Sequence, residues 1–390
     1  MIAGSPPRRP SAARPGPPPD RADVVVVGGD LPALCAALWL ARAGTDVLLL
    51  AAGPTLGDEV TARAPGLGFQ GLEEHAWRLA AAVGTQDAAG LYRASAEGLA
   101  LLASEVAVDR AGIVWAATEQ DREPTELDRS REVLRTWGLA PEPCTGPQVD
   151  ARVGSTGLGP GLVLPGDLGF DGPAVVDALA ASLDAAGASW HTDVAVEAVE
   201  PQGDALEVQH ADGRVRAEVV ILAAGHRLRP LHEIFRQTLS PVRQTAIALA
   251  GAPPMSHGLR AGFGYTLGQR QGDHLVLAGC RWASPHLEEG ERDRDVLDPR
   301  VVERLEATAT RFFPGAGPVT HRWAWITAAS CDGLPLVGPL PGDPRRLLCC
   351  GFAGGEAGLG VRGARAVVDG LLTGRADGLP RRLDPARMLL

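Results

Sequence analysis

The sequence predicts an α/β protein built around a parallel sheet. Three observations carry that expectation. Asp23 to Gly53 reads as strand, glycine turn, helix and strand. Val219 to Gly225, VVILAAG, is a second wholly apolar strand that runs into a glycine. Helical and strand-like stretches alternate again between these two regions, which is the pattern of β-α-β units.

Each element has its own signal. Val24 to Val27 is a β-branched run, as a strand buried on both faces requires. Gly28 and Gly29 then turn the chain. Leu31, Leu34, Cys35, Leu38 and Ala41 recur at helical spacing, Gly44 stops that helix, and Val47 to Leu50 is the next buried strand. Pro54 to Gly71 reads as a long loop. Leu72 to Ala82 and Leu91 to Ser104 read as amphipathic helices, Gly112 to Ala117 as a strand, and Glu126 to Trp137 as a charged helix. Leu162 to Leu164 reads as a short strand. Asp171 is placed to cap the next helix, with Pro173 in its first turn and Gly187 at its end. Val194, Val196 and Val199 alternate as a strand. Leu206, Val208 and Val215 form a hairpin around Asp212-Gly213. Thr245 to Ala250, His274 to Ala278 and Arg346 to Cys350 read as strands, and Arg300 to Phe313 and Val361 to Leu372 as helices. GFAGGEAGLG, ahead of that last helix, offers backbone amides to a ligand.

Composition narrows the function classes. The 390 residues suffice for two domains, or for one large domain with an insertion. The net charge of -10 argues against nucleic acid or an anionic membrane as a partner. The chain contains no lysine, which excludes a Schiff-base lysine, a lysine nucleophile and a lysine that activates oxygen. Six cysteines without C-x-x-C spacing read as reduced core residues of a cytoplasmic protein, and no metal-ligand cluster stands out. Residues 1–20 are rich in proline and arginine with no apolar core, so they read as a disordered tail and not as a secretory signal. No apolar run is long enough to span a bilayer. Oligomeric state is left open.

A glycine turn between a strand and a helix holds the pyrophosphate of a dinucleotide on the helix N-terminus. The fingerprint is G-x-G-x-x-G with an acidic residue at the end of the second strand. Here the three glycine positions read Gly28, Asp30 and Ala33, and the acidic position reads Ala51. The architecture is intact, but the binding chemistry is altered at two points. From this stretch alone a bound dinucleotide and a fold that has lost one both remain open. Asp30 is also placed to cap the helix itself, with its carboxylate in the anion site.

Together the first β-α-β unit, the helix after Phe170-Asp171, VVILAAG, WAWITAASCDGLPLVGPLP and GFAGGEAGLG resemble the FAD-dependent D-amino-acid oxidase family, which includes glycine oxidase and sarcosine oxidase. The resemblance runs from Asp23 almost to the C-terminus. It implies a Rossmann-like FAD domain assembled from residues 21–90, 154–230 and 328–390. It also implies an α+β substrate domain with an antiparallel sheet, from residues 91–153 and 231–327. By the resemblance, Gly28, Gly29 and Ala33 line the pyrophosphate turn, the backbone of Val196 meets the adenine, and Ala224 and Gly225 pass the cofactor. Gly354, Gly355, Gly358 and Leu359 then lie near the flavin ring, at a helix N-terminus that stabilises negative charge on reduced flavin.

The departures from the family are specific. Asp30 replaces a pyrophosphate glycine, Ala51 the ribose-binding glutamate, and Glu356 a glycine beside the flavin. Thr327 stands where several members carry an arginine that clamps the substrate carboxylate. Cys331 falls away from the position at which sarcosine oxidase attaches its flavin. Two functions follow as expectations. One is an FAD-dependent oxidoreductase that dehydrogenates a C–N bond of an amine or amino-acid-like small molecule. The other is a non-catalytic binding or scaffold protein of the same fold that has lost tight flavin binding. His226 and Thr327 are the candidate catalytic positions, by location only. Arg243 and Arg281 are candidate anion binders, with solvated arginines as the alternative.

Overall fold

The computed structural model describes residues 4–118, 122–376 and 378–389. Its centre is β1 (Arg21–Val27), α1 (Leu31–Arg42) and β2 (Val47–Leu50). Val24 of β1 lies opposite Val47 on one side and Val219 on the other, both in parallel register. The three apolar runs are therefore neighbouring parallel strands. Both faces are covered. Val24, Val26, Leu49 and Ile221 point to the side packed by α1 and the helices Gly172–Ala185 and Val361–Thr373. Val25, Val27, Leu48, Leu50, Val220 and Leu222 point to the side packed by Leu206, Val208, Val215 and Phe235. A strand with no exposed face has no polar alternation to show, which is why these runs are unbroken. Ser189–His191 adds in parallel at one edge; on the other side Asp343–Cys350 adds in parallel and Leu336–Leu340 closes that edge antiparallel to it.

A second eight-stranded sheet stands over the C-terminal ends of the first. Its long pair, Leu239–Ala250 with Val319–Ser330, is antiparallel and sets Thr327 opposite Val242. Helix Pro299–Phe312 covers its outer face through Val301, Leu305, Ala309 and Phe312. No helix among the described residues is long and apolar enough to cross a membrane.

Several elements differ from the sequence expectation. The helix expected from Leu91 begins at Thr85, because Gly84 at φ 90° ends one helix and starts the next. The strand expected from Thr245 begins at Leu239, since pairing with Val319–Ser330 extends it through polar residues. Strand Gly161–Val163 pairs with Ile113–Ala116 and Glu142–Cys144 in the second sheet, not in the first. Helix Thr85–Glu105 packs on helix Val361–Thr373 and so against the parallel sheet's side of the molecule. Residues 4–20 form no helix or strand, but they are tied down. Ser11 and Ala12 both donate N–H to Asp177 Oδ1, at 2.8 and 3.0 Å. Arg14 donates to Thr192 Oγ1, and Thr192 donates back to the Arg14 carbonyl. These partners lie far away in the chain, so the tail's composition carries no sign of them. Asp171 caps its helix as expected, accepting the Ala174 N–H at 3.0 Å.

Gly98 lets helix Thr85–Glu105 press directly on the 356–360 turn. A Cβ there would lie 1.9 Å from the Gly358 carbonyl oxygen. Gly98→Ala is therefore expected to destabilise the protein by about 1–3 kcal/mol, as overpacking against backbone does. A lowered urea midpoint with unchanged slope checks it.

Candidate functional site: a nucleotide cradle leading into a carboxylate-lined passage

The C-terminal ends of β1, β2 and strand Gly213–Leu222 open on a cavity of about 470 Å³. Gly28, Gly29, Leu50, Ala52, Val196 and Ala224 line it. Gly28 sits at φ 140°, and a Cβ there would lie 2.6 Å from the Ala223 carbonyl oxygen. Only glycine lets the chain pass this close, which is what a nucleotide-binding turn needs. Arg227, Arg229 and Arg292 line it too, alongside the carboxylates Asp30, Glu59 and Glu197. The adenosine end of a dinucleotide fits here by size and shape.

Beyond this cavity carboxylates border the space without arginines to balance them. Asp30 does not cap α1. Its Oδ1 turns away and accepts the N–H groups of Val60 and Thr61, at 3.0 and 2.7 Å. The freed helix end is served instead by Thr61, whose Oγ1 accepts the Leu31 N–H at 3.2 Å. The loop after β2 is thus pinned across the helix N-terminus, where a pyrophosphate would rest. Burial raises the Asp30 pKa, against these hydrogen bonds, which lower it.

Two small cavities continue from that point. The first, about 30 Å³, is bordered by Asp30, Glu59, Gly225, His226, Thr327 and Glu356. The second, about 50 Å³, is bordered by Glu73, Gln244, Trp325, Thr327, Gly354 and Glu356. Thr327 Oγ1 lies 3.4 Å from Glu356 Oε1. Four carboxylates border the two spaces, and no arginine does. Burial pushes Glu356 up to about 7, with Asp30 and Glu73 adding like charge, and burial raises Glu73 as well. Volumes of this size hold a few waters and not a tricyclic ring. The residues therefore fit the adenosine end of FAD, and as arranged here they do not fit its pyrophosphate and flavin.

The remaining candidate residues divide. Ala33 is buried inside α1, and Ala51 is buried with its Cβ 2.9 Å from where a Gly29 Cβ would stand. Ala52, not Ala51, faces the nucleotide cavity. Gly354 borders the inner cavity and has room for no side chain, since its Cβ would lie 2.3 Å from Glu73 Oε1. Gly355, Gly358 and Leu359 border none of these three cavities. Gly358 and Leu359 are buried beneath helix Thr85–Glu105. His226 borders the nucleotide cavity and the 30 Å³ space but not the one beside Trp325. Burial lowers its pKa to about 4, so it is neutral at pH 7 and a weak base.

Arg243 is not available as an anion binder. It is buried, its Nε and Nη2 hold both oxygens of Glu288 at 3.1 and 2.9 Å, and its Nη1 donates to the Val296 carbonyl at 2.8 Å. Arg281 pairs loosely with Glu289 at 3.5 Å and stacks on Tyr265. Sequence reasoning missed Glu59, Thr61 and Glu73. The first two lie in a stretch read only as a glycine- and proline-rich loop, and Glu73 in a stretch read only as an amphipathic helix. No local pattern marks any of the three, because their roles come from contact with Asp30 and Gly354.

Comparison with known proteins agrees with this architecture. The chain is 30% identical over 161 residues to glycine oxidase of Pseudomonas putida, covering 39% of this chain and 41% of that protein. It is 28% identical over 234 residues to a D-amino acid dehydrogenase of Paramagnetospirillum magneticum, covering 55% and 52%. The matches thus span about half the length of these relatives. The crystal structure of glycine oxidase from Geobacillus kaustophilus superposes with a TM-score of 0.74 at 20% identity, over 90% of this chain and 94% of that one. The sequence profile of the FAD dependent oxidoreductase family (DAO) matches residues 23–369. Over nearly its whole length, then, with the parallel sheet, the glycine cradle and the overlying antiparallel sheet all in place, the chain belongs to the FAD-dependent oxidoreductase family.

Proposed function

We propose that the protein is an FAD-dependent oxidoreductase that holds its cofactor weakly and dehydrogenates a C–N bond of a small amine or amino-acid-like molecule. The observation that carries this reading is the row of three adjoining cavities from the Gly28 cradle to Thr327 and Trp325, each sharing lining residues with the next. FAD, when bound, supplies the two-electron acceptor. The chain's own part is to seat the adenosine end against Gly28, Gly29, Val196 and Ala224. It also walls the inner space from water with Trp325, Phe69 and Leu67. Admission of the pyrophosphate and ring requires the Asp30-pinned loop to move. The six unpaired cysteines favour a reducing compartment such as the cytoplasm. The test is the absorption spectrum of the purified protein, with any released cofactor identified. A flavin spectrum that appears on adding FAD, and bleaches on adding an amine, supports the proposal. Absence of any flavin binding at millimolar FAD sinks it.

A second reading has a specific observation behind it. The Asp30 carboxylate already occupies the amides beside the helix N-terminus. A binding or scaffold protein of this fold, without flavin, would carry such a substitution at no cost.

Two expectations follow. Thr327 offers one hydroxyl where a carboxylate clamp needs the planar two-pronged donor of arginine. Glycine, sarcosine and D-alanine are therefore expected to be poor substrates. Turnover of any of them at ordinary enzymatic rates, with an artificial electron acceptor, would contradict this.

The second concerns pH. Glu356, raised to about 7, loses its proton as pH rises through that value, and Asp30 is raised in the same direction. Each charge so formed opposes a pyrophosphate. FAD binding thus takes up a proton at Glu356, and affinity is expected to increase as pH falls from about 8 to about 6, by up to about tenfold per unit. Titrations at the two ends of that range decide it, and equal affinities would refute it.

A further inference from the structure

We propose that a groove on the outer side of the second sheet is a separate binding site for a phosphorylated aromatic ligand of nucleotide size. The groove has a volume of about 510 Å³ and lies between helix Pro299–Phe312, the turn at Gly262–Tyr265 and the segment after Gly279. It shares no lining residue with the nucleotide cavity or the passage beyond it.

Its chemistry is distinct from the rest of the molecule. In a chain of net charge -10, the groove is lined by the guanidiniums of Arg78, Arg304 and Arg311, and by no carboxylate among the described residues. Arg78 is paired with Glu126 at 3.0 Å. Arg304 and Arg311 pair with no carboxylate among the described residues. They instead rest on aromatic faces, Arg304 at 4.6 Å from the Trp282 ring centre and Arg311 at 4.7 Å from that of Phe312. Seven residues apart, they share one helix face about 10 Å from end to end. Two guanidiniums on long side chains of one helix face, unpaired among the described residues, can converge on a phosphate ester, which arginine binds through paired N–H donors.

The walls supply the other half of the recognition. Trp282 and Tyr265 are among the few large apolar side chains left exposed, at 47% and 39%. Both border this groove. Exposed rings beside free guanidiniums give a planar ligand a face to stack on. Thr266 and Thr308 also line the groove; the Thr266 hydroxyl is only loosely engaged by Cys280 Sγ at 3.8 Å, while that of Thr308 donates to the Arg304 carbonyl at 2.8 Å. The backbone is held out of its ordinary conformations here. Phe263 at φ 57° and Cys280 at φ 55° account for two of four such non-glycine residues among those described. Such residues cluster at ligand sites. They are fixed by the Phe263 N–H to Glu123 and the Cys280 N–H to the Tyr265 carbonyl, at 2.5 and 2.6 Å.

The test uses naphthyl phosphate as probe, with adenosine in excess to fill the first cavity. Binding is read by calorimetry and by quenching of tryptophan fluorescence. Saturable binding of one probe per chain is expected, with quenching that disappears in Trp282→Phe. The double replacement Arg304→Gln/Arg311→Gln is expected to weaken binding at least ~100-fold, two charge-assisted contacts being lost. It should lower the melting temperature only slightly, because among the described residues both side chains make no ion pair and lose only their contacts with Trp282 and Phe312. Neutral naphthol should bind far more weakly than its phosphate. The proposal is overturned by absence of saturable binding, by full retention of affinity in the double variant, by equal binding of naphthol, or by displacement with adenosine. FAD binding plays no part in these readouts, so their failure leaves the flavoenzyme reading untouched.

Discussion

The variant Asp30→Gly/Glu356→Gly is expected to bind FAD at least ~100-fold more tightly than the natural protein, about 2.7 kcal/mol. Each change acts on a different part of the cofactor. An Asp30 charge about 4 Å from a pyrophosphate charge, at an effective dielectric of ~20, opposes binding by about 4 kcal/mol. Its removal also frees the Val60 and Thr61 amides and releases the loop pinned over the helix end. Position 51 is left as it is, because Ala51 is buried and Ala52 is the residue that faces the nucleotide cavity. Glycine at 356 takes away a carboxylate that borders both inner cavities and opposes negative charge on a reduced flavin. The ~100-fold figure is a conservative part of the Asp30 repulsion alone. Fluorescence titration of FAD into both proteins gives the answer. Unchanged affinity, or natural protein that retains stoichiometric FAD through purification, would mean that the fold accommodates both carboxylates.

Arg243→Met is expected to be the most damaging single change, destabilising the protein by about 3–5 kcal/mol. Glu288 has no exposed side-chain area, and both its oxygens are held by Arg243. Methionine would leave that carboxylate buried without its counter-charge. The Asp293 and Val296 carbonyls would also lose their donor. The paired change Arg243→Met/Glu288→Met removes both charges and is expected to recover much of the loss. Urea unfolding of the two variants separates the contributions. If the single change costs less than about 1 kcal/mol, the pair is not the tie between strand Leu239–Ala250 and the 288–296 segment that its geometry describes.

The sequence by itself determined the parallel core and its ligand-facing edge. Val24–Val27, Val47–Leu50 and Val219–Leu222 are unbroken apolar runs, and only a sheet covered on both faces buries such runs completely. Gly28, Asp30 and Glu356 were also legible, because a glycine turn and a helix N-terminus are local features whose chemistry depends on residues a few positions apart. Their neighbourhood was not. Asp30 has the spacing of a helix cap, yet it bonds to Val60 and Thr61, thirty residues on. Glu73 reads as part of a helix, yet it ends against Gly354. Arg243 reads as a free cation on a strand, yet Glu288 closes over it. The proline-rich tail reads as disordered, yet Asp177 and Thr192 hold it. A side chain's charge and reach are written in the sequence. Which distant group meets it is set only when the sheets and loops pack, because that choice depends on contacts with no period and no fixed spacing.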